Sequence, residues 1–435
     1  MKHLSFSSTY YFFDATISAE ITKVSSTLAT NGTFSNTAVN LIGNGNNVQV
    51  GLIGNTSVTN TSGTNNLSLS NSYTGNTYIT GGTLISSNNN ALGNSGNSVF
   101  ITNGILSIAA SITNTQVGAV LTNGTIAGSG VFNITGGING NGGVNLISAS
   151  LGGTGGLTNT LGTNTVTAVN SYKGGTFVNG GTLGASGSGT FGATTNALSI
   201  SNTGTVDLGG TTQTVGAFTM NGGNLTNGNL SASSITLTSG TNLINATTTN
   251  TGSSAYTISG GNNTIQGINN NGTNNYGISG GTNLISALLT GSGGLTATAG
   301  QTTLTNNNSY TGANLVSGGT VIAAMAGALG AATNALSLSN TGTVDLSGTT
   351  QTVGAFTMNG GNLTNGNLSA SSINLTSGTN LINATTTNTG GSAYTISGGS
   401  NTIQGINNNG AKSYAINGGT NLISALLTGS GGLTA

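Results

Sequence analysis

The sequence predicts an all-β fold, a parallel β-helix or solenoid built from tandem repeats. Three observations carry that expectation: a long internal repeat, a finer strand period of about 20 residues inside it, and a composition dominated by turn-forming and β-forming residues. Residues 190–297 align without gaps to residues 328–435 at an offset of 138, and 13 of those 108 positions differ. Thr211 to Ile235 is identical to Thr349 to Ile373. Self-similarity of this kind marks stacked architectures, in which each unit buries its apolar face only against its neighbours.

The finer period sets the element type. Asn242-Leu243-Ile244, Thr264-Ile265-Gln266 and Asn283-Leu284-Ile285 each follow a glycine-containing turn at spacings of about 20 residues. Short runs with alternating apolar positions, bounded by Gly or Asn, read as strands. At a strand spacing of about 4.8 Å, about 20 coils would extend on the order of 100 Å.

Composition agrees with such a stack. The 435 residues include 77 Gly and no Pro, Cys or Trp. Proline lacks the N–H that each coil donates to the next, so its absence suits a continuous ladder. Glycine and asparagine tolerate the positive φ angles of tight corners, and they are expected to mark them. Stacked Asn and Thr can also form ladders between coils. The alanine-dense segment Ala323-Ala324-Met325-Ala326-Gly327-Ala328-Leu329 suggests a helical turn, but its relative at 185–191 reads Ala-Ser-Gly-Ser-Gly-Thr-Phe, so a loop is expected in both.

Charge excludes several functions. Four Lys+Arg and four Asp+Glu give zero net charge, so no basic footprint for nucleic acid or anionic lipid exists. Lys2, Asp14, Glu20 and Lys23 lie near the start, leaving Lys173, Asp207, Asp345 and Lys412 for the rest. Asp207 and Asp345 are one position in two copies, on coils expected to be too far apart for the short separation a catalytic carboxylate pair needs. The sole histidine, His3, is terminal, so neither a Ser-His-Asp nor a Cys-His arrangement is expected. Zinc-ligand clusters are also missing. Gly187-Ser188-Gly189-Thr190-Phe191-Gly192, with Asp207 twenty residues after Gly187, imitates a dinucleotide fingerprint. Chance supplies such matches at about 18% glycine, and the next copy loses the pattern while keeping Asp345. No catalytic, cofactor-binding or metal-binding residue is therefore proposed. Asp207 and Asp345 are expected on a solvated face or corner, Lys173 and Lys412 at variable surface positions, and the tyrosines as packing or corner residues.

Each large unit opens on a recognisable segment. Asn71-Ser72-Tyr73-Thr74-Gly75, then Ile79, Gly81-Gly82-Thr83-Leu84 and Ala91-Leu92-Gly93, recurs as Asn170-Ser171-Tyr172 with Val178 and Gly180-Gly181-Thr182-Leu183. It recurs again as Asn308-Ser309-Tyr310, Val316, Gly318-Gly319-Thr320-Val321 and Ala328-Leu329-Gly330. This pattern resembles the autotransporter-associated β-strand repeat of bacterial secreted proteins. The resemblance implies a right-handed β-helix that is the passenger of a type V secretion system, displayed at the cell surface or released. Ile79, Val178 and Val316, and likewise Leu84, Leu183 and Val321, are expected to point inward.

The chain accordingly divides into an N-terminal segment over 1–30, a β-helix start over 31–70, and repeat units over 71–169, 170–307 and 308–435. Within 1–30, Lys2, His3, the apolar stretch to Phe13 and Ile17-Ser18-Ala19 have features of a degenerate signal peptide, whereas Asp14 and the Ser, Thr and Tyr content count against one. The last 30 residues continue the repeat and lack the alternating, aromatic-flanked strands of an outer-membrane barrel, so outer-membrane association would run through a translocator this chain does not contain.

The function expected is that of a non-enzymatic, extracellular or surface-displayed stalk or adhesin-like surface. Its partner would be a surface or matrix ligand the sequence does not name, with self-association also open. A spacer or secretion aid carrying a functional domain encoded elsewhere is the alternative. An ice-binding solenoid would need Thr-x-Thr at one place on successive coils, and Thr165-Val166-Thr167 has no regular successors.

Overall fold

A computed structural model describes the backbone of residues 3–6, 10–12, 20–24, 28–35, 38–43 and 46–435, and the side chains of residues 38–43, 48–49 and from 51 onward. The expected cleavage site at residues 17–19 lies outside the described residues. Among the described residues there is no helix, and the strands stack in parallel into a β-solenoid of about 20 turns. The chain divides into two compact units, one of Met1–Gly216 with Thr226–Gly228 and one of Ala217–Leu225 with Asn229–Ala435. Both are built by the same rule.

Each coil carries three short strands separated by bends. In the second unit one coil runs through Tyr256–Ile258, Asn262–Gln266 and Ile268–Asn270. The first of these pairs with Tyr276–Ile278 of the next coil, the second with Thr282–Ile285 and the third with Leu288–Thr290, all parallel and in register. The first unit repeats the arrangement, with Thr83, Ile105, Thr125, Leu146 and Thr165 aligned through five successive coils.

Strand alternation places one residue in two inside. The pattern buried, intermediate, buried recurs in strand after strand, as at Thr77–Ile79 and Tyr256–Ile258. Ile79, Val178, Val316, Leu84, Leu183 and Val321 are all completely buried, as their equivalence in the sequence predicts. A fully buried Leu, Ile or Val contributes roughly 1.5–3 kcal/mol, so the core is a sum of many such increments spread evenly over the coils.

One corner recurs through the second unit and marks the register there. Gly240, Gly261, Gly281, Gly300 and Gly319 stand at successive coils with φ of 71, 81, 81, 79 and 67°. A Cβ on Gly261 would lie 2.5 Å from the Gly240 carbonyl oxygen, so both the backbone conformation and the axial contact require glycine. The residue after each glycine faces outward and the next faces inward. The alanine-dense segment 323–329 leaves the strand Thr320–Ala323 as an irregular turn without helix, and its relative at 185–191 leaves the strand Thr182–Ala185 in the same way.

Candidate interaction surface

The Asn and Tyr of the Asn-Ser-Tyr segments that begin each unit are spent on structure, while the Ser between them is exposed. Asn71 accepts a hydrogen bond from the Leu52 amide (2.9 Å) and donates to the Ala91 carbonyl (2.7 Å), joining the coils below and above. Asn170 does the same between Leu151 and Thr190, and Asn308 between Leu289 and Ala328. Tyr73, Tyr172 and Tyr310 are buried completely, and their hydroxyls pair with Thr77, Thr176 and Asn314 at 2.6–2.7 Å. Burial pushes all three phenols above the ordinary tyrosine range, and in each the bonded Thr or Asn only partly opposes it. The glycine that closes the pattern packs on the ring: a Cβ on Gly93, Gly192 or Gly330 would come within 2.8 Å of Tyr73, Tyr172 or Tyr310.

Gly192 therefore explains the end of the imitation dinucleotide fingerprint, and the segment after it is turn and then strand. Asp207, the apparent acidic partner, caps its own turn by accepting from the Gly209 amide (2.9 Å) and accepts from Asn227 Nδ2 (3.2 Å). Asp345 repeats both contacts with the Ser347 amide (2.8 Å) and Asn365 (3.1 Å). Both carboxylates lie at turns on the outer surface, as expected. Lys173 is exposed and Lys412 half-buried. Among the described residues no group of three His, Cys, Asp or Glu side chains could hold a metal ion.

The interior carries polar ladders. Asn242 Nδ2 donates to Asn263 Oδ1 (2.7 Å), Asn263 Nδ2 to Asn283 Oδ1 (2.6 Å), and Asn283 Nδ2 to Thr302 Oγ1 (3.0 Å). The second copy repeats it through Asn380, Asn401 and Asn421, with 2.7 Å at each step. A second ladder joins Asn250 to Asn271 and Asn388 to Asn409 at 2.6 Å. Parallel, in-register coils put identical amides at one height, so each donates to the next, as in stacked cross-β structure. Asn164 breaks the rule: it is 1% exposed and neither side-chain polar atom has a partner.

What remains for contact is the outside. In the first unit Tyr78 stacks on Phe100 with ring centroids 5.2 Å apart and planes at 14°, and Val120 follows on the next coil. Tyr78 is thus an outward-facing tyrosine, unlike the buried tyrosines of the Asn-Ser-Tyr segments. In the second unit the column after the corner glycines reads Thr241, Asn262, Thr282, Gln301 and Thr320. The three triplets that mark the fine period in the sequence are not all in one register. Asn242 stacks on Asn263 and Asn283, while Thr264 aligns with Leu243 and Leu284. No protein-family model, curated protein or solved structure matches this chain.

Proposed function

We propose that the chain is a non-enzymatic, surface-displayed or secreted β-solenoid that acts as an adhesive surface, in the manner of an autotransporter passenger. One observation carries the reading: the Asn and Tyr side chains of the recurrent motifs are consumed by the fold, while uncharged Thr, Asn and Gln side chains repeat outward on successive coils. Repeated weak contacts of one kind sum along an array. The near-identity of the two 138-residue copies favours a spacer as the second reading, since interchangeable modules set length without any surface of their own.

A deletion separates the two. Removing residues 212–349 excises one period and leaves a junction of natural sequence. Cells displaying the full chain should hold to abiotic or matrix-coated surfaces better than cells without it, and the deletion should weaken that attachment several-fold. Equal attachment with and without the chain would refute the adhesive reading. Attachment unaffected by the deletion would favour the spacer.

A further inference from the structure

Thr241, Asn262, Thr282 and Gln301 are exposed and stand one above another, each after a left-handed corner glycine. Because those corners have no side chain, a furrow of about 410 Å³ runs beside the column, lined by Gly240, Thr241, Gly261, Asn262, Gly281 and Thr282. Other outward hydroxyls of this unit turn back on the preceding coil. Thr251 Oγ1 donates to the Ala232 carbonyl (3.1 Å), Ser286 Oγ to Ile265 (3.4 Å) and Thr298 Oγ1 to Ile278 (3.4 Å). Among the described residues, the side chains of the furrow column have no protein hydrogen-bond partner, so their donors and acceptors face solvent.

The neighbouring column, two residues on, has a period of two coils. It reads Leu243, Thr264, Leu284, Thr303 and Ile322, aliphatic and hydroxyl in alternation, with Leu284 44% exposed. The second copy keeps it as Leu381, Thr402 and Leu422. No Asp, Glu, Lys or Arg lies between Asp207 and Asp345, so a charged ligand would shed water on these coils without meeting a counter-charge.

We propose that this face binds extended, uncharged β-1,4-linked polysaccharide lying along the stacking direction of the coils. In such a chain each ring advances by nearly one strand spacing, about 4.8 Å, and successive rings are flipped, which gives a two-ring repeat. The two-coil alternation matches that repeat, with aliphatic side chains against ring C–H faces and Thr, Asn and Gln toward the hydroxyls. An ice plane would call for the same residue pair on every coil. The inference rests on the adhesive reading and names its partner.

The test is retention of the purified full chain on insoluble cellulose, with starch, and separately growing ice, as comparison arms. Retention on cellulose should exceed that on starch at least about tenfold. It should fall about tenfold when Thr241, Asn262, Thr282 and Gln301, with the second copy's column Thr379, Ser400 and Thr420, are all changed to Ala. The paired substitution Thr251→Ala with Thr298→Ala, at hydroxyls that bond the backbone, should leave retention unchanged. Failure to bind cellulose, equal binding to both glucans, shaping of ice without glycan retention, or undiminished retention by a multiple variant of native circular dichroism would each overturn the proposal. If displayed cells adhere elsewhere while the purified chain ignores cellulose, the inference falls and the adhesive reading stands.

Discussion

Leucine in place of Asn263 and leucine in place of Asn164 should have opposite effects, although both asparagines are buried at the inward position after a corner glycine. Asn263 accepts from Asn242, donates to Asn283, and donates to the Gly260 carbonyl at 2.9 Å. Asn263→Leu orphans the Asn283 oxygen and removes an acceptor from Asn242, which keeps its bond to the Ser239 carbonyl at 2.9 Å. Each buried polar group left unpaired costs about 1–3 kcal/mol. The added apolar burial returns about 1.5–3 kcal/mol. With three groups affected, since the Gly260 carbonyl also loses its donor, and a larger side chain in a filled position, a net loss of about 1–3 kcal/mol is expected. Asn164→Leu breaks no side-chain bond and relieves a desolvated amide worth about 1–3 kcal/mol. Leu183 already occupies the next coil's equivalent position, fully buried. Crowding against Gly140 opposes the gain, so the outcome should lie between neutral and about 2 kcal/mol of stabilisation. A separation of about 3 kcal/mol is about a hundredfold in an opening equilibrium. Hydrogen exchange of the amides on the substituted and adjoining coils reads that difference directly, because stack stability is a sum of nearest-neighbour terms. Equal protection in the two variants, or greater loss in Asn164→Leu, would refute the ladder as the source of interior stability.

Two further outcomes follow from the corners and the tyrosines. Gly261→Ala should lower the thermal midpoint, by the cost of a left-handed alanine of about 1 kcal/mol plus the clash with the Gly240 carbonyl. Gly391→Ala, where an added Cβ meets nothing within 4 Å, should be neutral or slightly stabilising. The buried phenols of Tyr73, Tyr172, Tyr256, Tyr310 and Tyr394 are pushed above their ordinary value by burial. Their contribution is complete below pH ~10 and is lost as pH rises above it, at about 1.4 kcal/mol per pH unit for each tyrosine. Phenolate absorbance of these residues should therefore rise together with loss of circular dichroism. A gradual rise centred near pH 10 with the fold intact would contradict their burial.

Much of this architecture is legible in the sequence because each coil states its own requirements. Inward positions such as Ile79 and Leu183 follow from period-two alternation, and glycine doublets announce the corners. Asn242 and Thr264 open similar strand-like triplets but lie one residue out of register, because in these coils the pairing follows the distance from the corner glycine rather than local composition. Counting from Gly240, Gly261 and Gly281 aligns Asn242, Asn263 and Asn283 and also exposes the outward column. Thr163 and Thr165, one and three residues after Gly162, are the outward pair of that coil, and Thr165 pairs with Leu146 below and Gly184 above. The tyrosines show the limit of composition. Tyr73 and Tyr78 differ by five positions in sequence, yet Tyr73, in the loop before strand Thr77–Ile79, is enclosed, whereas Tyr78, at the outward phase of that strand, lies in an outer stack.

The interior amide ladders carry hydrogen bonds without carrying charge. Where many folds place ion pairs or titrating carboxylates that respond to acid or salt, the laddered coils hold Asn on Asn, whose amides neither titrate nor carry a charge for salt to screen. The folded state consequently has few electrostatic handles by which its surroundings could loosen it. Its stability is set by coil-to-coil packing and by how many coils are stacked, so length itself becomes the adjustable quantity, and a near-exact copy of 138 residues is the step by which it is adjusted.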